Sequence, residues 1–228
     1  MMRSESHKTA EKRAARILIV DDHPAVREAL AIRLSREPDL EVCGEAADVT
    51  EALQVFAATN PDVAVIDISL RDGDGIDLIK RIKAHNDAAR VLVWSMHSES
   101  LFAERALRAG ALGYINKEQV TDQIVVAIRR VLAGKVYLSD AAAERMLHRA
   151  VGGGEASVGR PPIDTLSDRE LEVFRLVGQG VKTQDIATRM HLSAKTVETY
   201  RDRIRAKLDL STGLELGRYA LLWVLENG

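Results

Sequence analysis

The sequence predicts an α/β fold: a doubly wound, five-stranded parallel sheet in residues 16–134, followed by a small all-α domain in residues 165–228. In the first part, short runs of β-branched residues alternate five times with helical patterns. These runs are almost continuously apolar, which is typical of parallel strands covered by helices on both faces. After the second part begins, the apolar residues recur only at helical spacing.

Each element of the sheet domain has its own signal. We predict strands at residues 17–20, 40–45, 63–66, 91–94 and 112–115. We predict helices from Pro24, where proline suits a first turn, and at 52–58, 75–84, 100–108 and 121–133. The last two helices end at glycines, Gly110 and Gly134. The order of the strands in the sheet is not visible in the sequence.

Composition places the chain among globular proteins. Its 228 residues leave room for two domains, with 46% hydrophobic and 29% charged residues. No apolar run approaches the roughly 18 residues that suggest a membrane span. The tail at residues 1–15 is polar and lacks the apolar core of a signal peptide. A single cysteine, Cys43, excludes an internal disulfide framework. We expect a cytoplasmic protein that has no membrane partner.

A linker separates the two domains. Residues 135–164 contain a possible helix from Asp140, and then three glycines at 152–154 and two prolines at 161–162. Ser167 next suits a helix N-cap, and Glu170 three residues later completes a capping box. We predict the following helices at 183–190, 194–208 and 213–226.

Aspartates follow the strands of the first domain. Asp21 and Asp22 come after strand one, Asp67 after strand three, and Lys117 after strand five. In an open parallel sheet ligands bind at the carboxyl ends of the strands, so these carboxylates converge if strands one and three are neighbours. Clustered carboxylates repel one another, and Mg²⁺ is the natural ion to compensate them. The set predicts a phosphoryl-transfer site with Asp67 as nucleophile, although any one aspartate alone would suit a helix cap or turn.

Four stretches carry a resemblance to known proteins. They resemble the receiver-domain motifs of bacterial response regulators in order and spacing, and they are Ile19-Val20-Asp21-Asp22-His23, the segment from Asp67 to Gly75, Trp94-Ser95-Met96-His97 and Gly113-Tyr114-Ile115-Asn116-Lys117. Many receivers carry a proline four residues after the phosphorylated aspartate and another after the lysine. This chain has Arg71 and Glu118 there, which puts the shape of those loops in doubt more than the phosphorylation.

The resemblance implies a role for each residue of the site. Asp67 would accept phosphate from a sensor histidine kinase. Asp21, Asp22 and Asp67 would bind Mg²⁺ together with the backbone carbonyl of Ser69. Ser95 would hydrogen-bond the phosphoryl group, Tyr114 would be an aromatic switch that moves with Ser95, and Lys117 would contact the phosphoryl oxygens.

The second domain has the spacing of a helix-turn-helix. Helices at 183–190 and 194–208 are joined by a tight corner at His191 and Leu192. On the second helix Val197, Ile204 and Leu208 recur on one face and should face the core. The opposite face carries polar and basic residues, as in a helix that reads base edges. An ordinary helical core with a charged surface would give the same pattern, so the pattern alone leaves both readings open.

The stretches 166–173, 180–187 and 192–200 resemble the LuxR-type helix-turn-helix, and the chain from Arg16 onward is similar to the NarL/FixJ family of response regulators. That resemblance implies that residues 194–208 form the recognition helix and that 213–226 pair two copies. It implies double-stranded DNA as partner and a homodimer when phosphorylated. The expected DNA contacts are Lys182, Thr183, Lys195, Thr196, Glu198, Thr199, Tyr200, Arg201, Asp202, Arg203 and Lys207.

These expectations describe a two-component response regulator whose phosphorylation on Asp67 switches sequence-specific DNA binding and transcription. It would be no enzyme apart from its own phosphorylation. We hypothesise that the unphosphorylated receiver covers the recognition helix or keeps the protein monomeric. One alternative is a phosphatase or phosphotransferase, but those generally carry an acidic residue two positions after the nucleophile, where this chain has Ser69. The other is a constitutive DNA-binding protein, which the complete set of three aspartates and Lys117 argues against.

Overall fold

The computed structural model describes residues 13–70, 73–97, 99–118, 122–151 and 162–227. Several sequence expectations fall outside these ranges. They concern most of the N-terminal tail, the loop residues Arg71 and Asp72, and the glycine-rich part of the linker at 152–161.

Five parallel strands form the main sheet: β1 (Ala15–Val20), β2 (Leu40–Ala46), β3 (Val63–Ile66), β6 (Val91–Ser95) and β7 (Gly113–Asn116). Their order in the sheet is β2-β1-β3-β6-β7. This confirms the predicted doubly wound sheet and supplies the strand order that the sequence could not give. Two short antiparallel strands, β4 (Ser69–Leu70) and β5 (Gly73–Asp74), form a separate hairpin after β3.

Five helices cover the two faces of the sheet: α1 (Pro24–Leu34), α2 (Val49–Thr59), α3 (Gly75–His85), α4 (Glu99–Arg108) and α5 (Asp122–Leu132). Helix α2 begins three residues before the predicted start. Asp48 explains the difference, because its side chain accepts a hydrogen bond from the backbone N–H of Glu51 and so caps the first turn.

The strand β1 shows how the sheet divides the core. Ile17 and Ile19 belong to the cluster packed with α1 and α5, whereas Leu18 and Val20 belong to the cluster packed with α2, α3 and α4. Successive side chains of a strand point to opposite faces, so a strand buried on both faces must be apolar throughout. The second cluster continues into the core of the helical domain.

The linker region is partly attached to the sheet domain. Tyr137 forms an isolated parallel bridge with Gly113 at the edge strand β7. The helix considered from Asp140 is present as α6 (Asp140–Val151), and it packs on α4 with Ala142 buried. The backbone N–H of Ser139, just before α6, donates to Glu99 of α4 at 2.8 Å.

The C-terminal domain is helical, as predicted. After a 3₁₀ turn at Pro162–Thr165 it comprises α7 (Asp168–Gly178), α8 (Thr183–Arg189), α9 (Ala194–Lys207) and α10 (Gly213–Asn227). The predicted capping box is confirmed: Ser167 accepts from the N–H of Glu170, whose carboxylate accepts from the N–H of Ser167. Within the described ranges, no helix has both the length and the hydropathy needed to cross a membrane.

Candidate phosphoryl site and nucleic-acid interface

Strand order brings the predicted carboxylates together. Asp21 follows β1 and Asp67 follows β3, and these two strands are adjacent and parallel. The backbone continues the pairing beyond the strands, because the N–H of Asp67 donates to the carbonyl of Val20 at 2.9 Å. Both aspartates are almost fully buried at this edge of the sheet. The crossover from β1 to β3, with β2 on the other side, makes this edge the expected ligand crevice of such a sheet.

Asp67 is held through both of its carboxylate oxygens. Lys117 Nζ lies 2.5 Å from Asp67 Oδ2 and also donates to Asp21 Oδ2. The hydroxyl of Ser95 donates to Asp67 Oδ1 at 2.6 Å, and the backbone N–H of Ser69 donates to the same oxygen at 3.2 Å. The structure thus brings Asp21, Asp67, Ser69, Ser95 and Lys117 into one connected cluster.

The electrostatics of the cluster favour a charged lysine. Burial alone would lower the pKa of the Lys117 ammonium, but the charges and hydrogen bonds of Asp67 and Asp21 outweigh it and raise the pKa above its usual value. Tyr114 is fully buried, and burial followed by the charge of Asp67 raises the pKa of its hydroxyl well above its usual value. Tyr114 is therefore a neutral donor, and its hydroxyl donates to the carbonyl of His97 at 2.9 Å.

Asp22 stands beside this cluster and supplies a further carboxylate. Asp21, Asp22 and His23 each offer one ligand atom within 4.8 Å of one another. Asp22 Oδ1 is buried and makes no hydrogen bond to any residue that the structure describes, although His23 Nδ1 lies 2.7 Å away. A buried carboxylate oxygen without a hydrogen bond, next to the Asp21 carboxylate, fits a hard divalent cation with oxygen ligands, although Asp67 is not part of this close group.

The sequence does not predict the part that His97 plays in the site. His97 lies in the Trp94–His97 motif, but the motif assigns it no role. In the structure its ring contacts the Ser69 hydroxyl, and its carbonyl accepts from Tyr114 and, at 3.0 Å, from Asn116 Nδ2. Its place two residues after the end of β6 could have indicated that it lies at the carboxyl edge of the sheet.

Helices α8 and α9 form the predicted helix-turn-helix. His191 makes the corner with a left-handed backbone (φ 53°), and Ser193 caps α9 by accepting from the N–H of Thr196 at 3.0 Å. The prediction for the inner face is confirmed, since Val197, Ile204 and Leu208 are all buried.

The predicted DNA contacts divide by exposure. Those whose side chains are exposed are Lys182, Lys195, Glu198, Thr199, Asp202, Arg203 and Lys207. Those that are only half-exposed are Thr183, Thr196, Tyr200 and Arg201. The exposure of the first group does not support the idea that the receiver covers the outward face of α9.

Several of these residues are also engaged within the domain. The hydroxyl of Thr183 donates to Glu198 at 2.8 Å and accepts from Arg201 at 2.8 Å, which ties α8 to α9. Lys207 binds the buried carboxylate of Glu170 at 2.6 Å. Arg201 and Lys207 therefore lie at the margin of the exposed face, while Lys195 and Arg203 point away from the core.

Comparisons with known proteins agree with both halves of the fold. Residues 17–129 match the family described as "Response regulator receiver domain". Residues 164–220 match the family described as "Bacterial regulatory proteins, luxR family".

Characterised relatives extend over nearly the whole chain. The virulence-factor transcription regulator BvgA of Bordetella pertussis is 35% identical over 201 residues, which are 88% of this chain and 94% of BvgA. The DNA-binding transcriptional activator DevR/DosR of Mycobacterium tuberculosis is 33% identical over 205 residues, 90% of this chain and 93% of that protein.

Solved structures show the same architecture. A LuxR-family two-component response regulator from an Aurantimonas species is 39% identical, covers 60% of this chain and 99% of its own, and has a TM-score of 0.57. RcsB of Salmonella enterica, solved bound to the rprA promoter, is 25% identical, covers 91% of this chain and 98% of its own, and has a TM-score of 0.56. With both domains matched in order, the chain belongs to the NarL/FixJ family of two-component response regulators, in which a receiver is joined to a LuxR-type DNA-binding domain to control transcription.

Proposed function

We propose that phosphorylation of Asp67 by a sensor histidine kinase switches the binding of this protein to specific DNA sites. The observation that carries the proposal is the cluster around Asp67, whose two carboxylate oxygens contact Lys117 on one side and Ser95 on the other. A carboxylate placed between an ammonium group and a hydroxyl has partners ready for the oxygens of an incoming phosphoryl group.

Each residue of the cluster has a part in that transfer. A carboxylate oxygen of Asp67 forms the new bond to phosphorus while the bond from phosphorus to the phosphodonor breaks, and the donor leaves with that electron pair. Lys117, kept charged by Asp21 and Asp67, neutralises the phosphoryl oxygens. Asp21, Asp22, Asp67 and the carbonyl of Ser69 would hold Mg²⁺, which supplies further positive charge to the same oxygens.

The switch involves Ser95 and Tyr114. In this structure the Ser95 hydroxyl donates a hydrogen bond to the Asp67 carboxylate. After phosphorylation, an oxygen of the phosphoryl group would accept this hydrogen bond in place of the carboxylate. Ser95 then follows its new acceptor, and the buried ring of Tyr114 takes the space that it leaves. Because Tyr114 also holds the carbonyl of His97, its movement changes the loop that follows β6.

DNA binding falls to α9 in this proposal. Lys195, Thr199 and Arg203 lie on its exposed face and are suited to bases and phosphates of double-stranded DNA. Glu198 and Asp202 on the same face repel phosphates, so a single copy binds weakly and two copies are needed. RcsB has been solved as dimers on DNA.

Helix α10 supplies the surface for pairing two copies. Four leucines on it are exposed, namely Leu214, Leu221, Leu222 and Leu225. A helix face of this kind is covered when two copies meet.

We assign residues 16–134 to the receiver, 135–164 to the linker and 165–228 to the DNA-binding domain, behind an N-terminal tail at 1–15. Because the partner is DNA, the proposed place of action is the cytoplasm.

The direct test is the mass of the intact protein after incubation with acetyl phosphate and Mg²⁺. We expect wild type to gain the mass of one phosphoryl group, and Asp67→Asn treated in parallel to gain none. Asp77→Asn, which changes an exposed carboxylate paired with Arg81 on α3 and outside the cluster, is the matched control and should gain phosphate as wild type does. A gain that persists in Asp67→Asn, or no gain by wild type from acetyl phosphate or from a purified sensor histidine kinase, would contradict the proposal.

A further inference from the structure

His97 lies between the phosphoryl site and the DNA-binding domain. On the receiver side its ring contacts the Ser69 hydroxyl, its carbonyl accepts from Tyr114, and its N–H lies 3.4 Å from the Ser95 hydroxyl. His97 therefore contacts Ser69 and Ser95, which both hydrogen-bond Asp67, and Tyr114, which the proposed switch moves.

On its other side His97 faces helix α7. His97 Nδ1 lies 3.4 Å from Glu172 Oε2, and the Glu172 side chain is 9% exposed. Arg175 holds the same carboxylate with two hydrogen bonds, at 2.6 and 3.0 Å. Burial would raise the pKa of Glu172, but the hydrogen bonds from His97 and Arg175 lower it to about 2, so the contact is made by a carboxylate.

Further polar contacts surround this one. Arg105 of α4 lies 3.1 Å from Asp168 of α7, and it donates to the carbonyl of Leu166 at 2.5 Å. Arg169 donates to the carbonyl of Leu70, in the hairpin that follows Asp67, at 3.0 Å. We call the contacts of His97, Arg105, Asp168, Arg169 and Glu172 the α7 seam. These polar contacts lie beside the apolar cluster that continues from the receiver into the helical domain.

We infer that His97 is the positioning residue through which the state of Asp67 controls the α7 seam, by way of its contact with Glu172. This inference rests on the proposed function. Movement of Ser95 and Tyr114 shifts His97, so Glu172 loses its receiver partner and the DNA-binding domain is released. The seam holds α7 and leaves the outward face of α9 exposed, so control lies in the position of the domain and not in covering its DNA-reading surface.

This coupling must also act in the opposite direction. If the closed seam favours the unphosphorylated arrangement of the receiver, weakening it from the DNA-binding domain raises the fraction of receivers ready to accept phosphate. A substitution in α7, on a residue that lies outside the phosphoryl site, should then alter chemistry at Asp67. A residue that only stabilises the helical domain would have no such effect.

The experiment uses the full-length protein with Glu172→Gln, which keeps the side chain's shape and removes its charge. We expect Glu172→Gln to accept phosphate from acetyl phosphate with Mg²⁺ about fivefold faster than wild type, the lower end of typical coupling between sites. The control is Asp77→Asn, which removes one carboxylate from the exposed pair with Arg81 on α3 and should leave the rate unchanged. An equal rate for wild type and Glu172→Gln would overturn the inference.

A double-mutant cycle with His97→Gln separates coupling from damage to either partner. If the two residues act through their contact, the effects of His97→Gln and Glu172→Gln on the rate are non-additive; additive effects would overturn the inference. Hydrogen exchange of the backbone at 95–97 is measured on the same samples, and Glu172→Gln should speed it. If wild type takes up no phosphate, the proposed function is contradicted. In that case the inference is judged by hydrogen exchange alone, and exchange at 95–97 that is the same in Glu172→Gln and wild type would overturn it.

Discussion

Asp67 shows how much of the site can be predicted at the scale of single residues. The sequence predicts that Asp67, Asp21 and Lys117 lie together, because all three follow apolar strands and parallel strands present their carboxyl ends at one edge; the structure confirms this. The contact between His97 and α7 could not be predicted in this way. It depends on which side chain of the β6–α4 loop meets α7, and those residues are far apart in the sequence.

Two carboxylates of the α7 seam give it opposite responses to pH. Burial, and then the neighbouring charge of Asp74, raise the pKa of Asp168 to about 8, while Arg105 and Lys80 partly offset this. Its protonated form is favoured in the closed protein, so its contribution to closure declines as pH rises from about 4 through about 8. The lowered pKa of Glu172 acts the other way, and its contribution is lost as pH falls from about 4.5 towards 2.

We therefore predict that the unphosphorylated protein becomes less compact as pH rises from about 5 to 8. Small-angle X-ray scattering on the full-length protein measures this as an increasing radius of gyration. Asp168→Asn cannot ionise at this position, so its radius should change less over the same range. An equal increase in Asp168→Asn and wild type would show that Asp168 does not control closure.

At the scale of elements, local sequence signals predicted most helices and strands. They did not predict which strands lie next to each other in the sheet. The capping box at Ser167 and Glu170 fixed the start of α7, because both of its hydrogen bonds are local. The hairpin of β4 and β5 was not predicted, since each of its strands has only two residues and no alternation to detect. The strand order also escaped prediction, because it depends on pairing between distant segments.

Helix packing in the DNA-binding domain requires a glycine at the end of α7. A Cβ on Gly178 would lie 2.4 Å from the backbone carbonyl oxygen of Ala220 in α10. We expect Gly178→Ala to destabilise this domain by about 1–3 kcal/mol, because backbone in α10 must move. Thermal denaturation of the full-length protein measures the change.

Gly217 provides the matched control on α10. The space around its Cβ position is open among the described residues, and its backbone is helical. Gly217→Ala should stabilise the domain by up to about 1 kcal/mol, because alanine favours a helix more than glycine does. If Gly178→Ala and Gly217→Ala changed the melting temperature equally, close contact between α7 and α10 would not explain why a glycine is needed at position 178.

At the scale of the whole molecule, the polar contacts between the two domains involve α7, and the rings of His23 and His191 meet at the corner before the recognition helix. The sequence predicted both domains, but not their relative position, because that depends on contacts such as Arg105 with Asp168 and Arg169 with Leu70. The expectation that the receiver covers α9 is not supported, since Lys195, Thr199 and Arg203 are exposed. In the proposed function, phosphorylation would therefore act on a restrained domain whose DNA-reading surface is already open.

In the proposed function phosphate on Asp67 strengthens DNA binding, and the affinity for selected DNA duplexes reports this effect. Duplexes selected by the phosphorylated protein from a pool of random-sequence DNA serve as the probe. The affinity for them is then measured with acetyl phosphate and Mg²⁺ for wild type and for Asp67→Asn at the same protein concentration. We predict that wild type binds at least about tenfold more tightly than Asp67→Asn. Equal affinities, with wild type shown to be phosphorylated, would mean that phosphate on Asp67 does not control DNA binding.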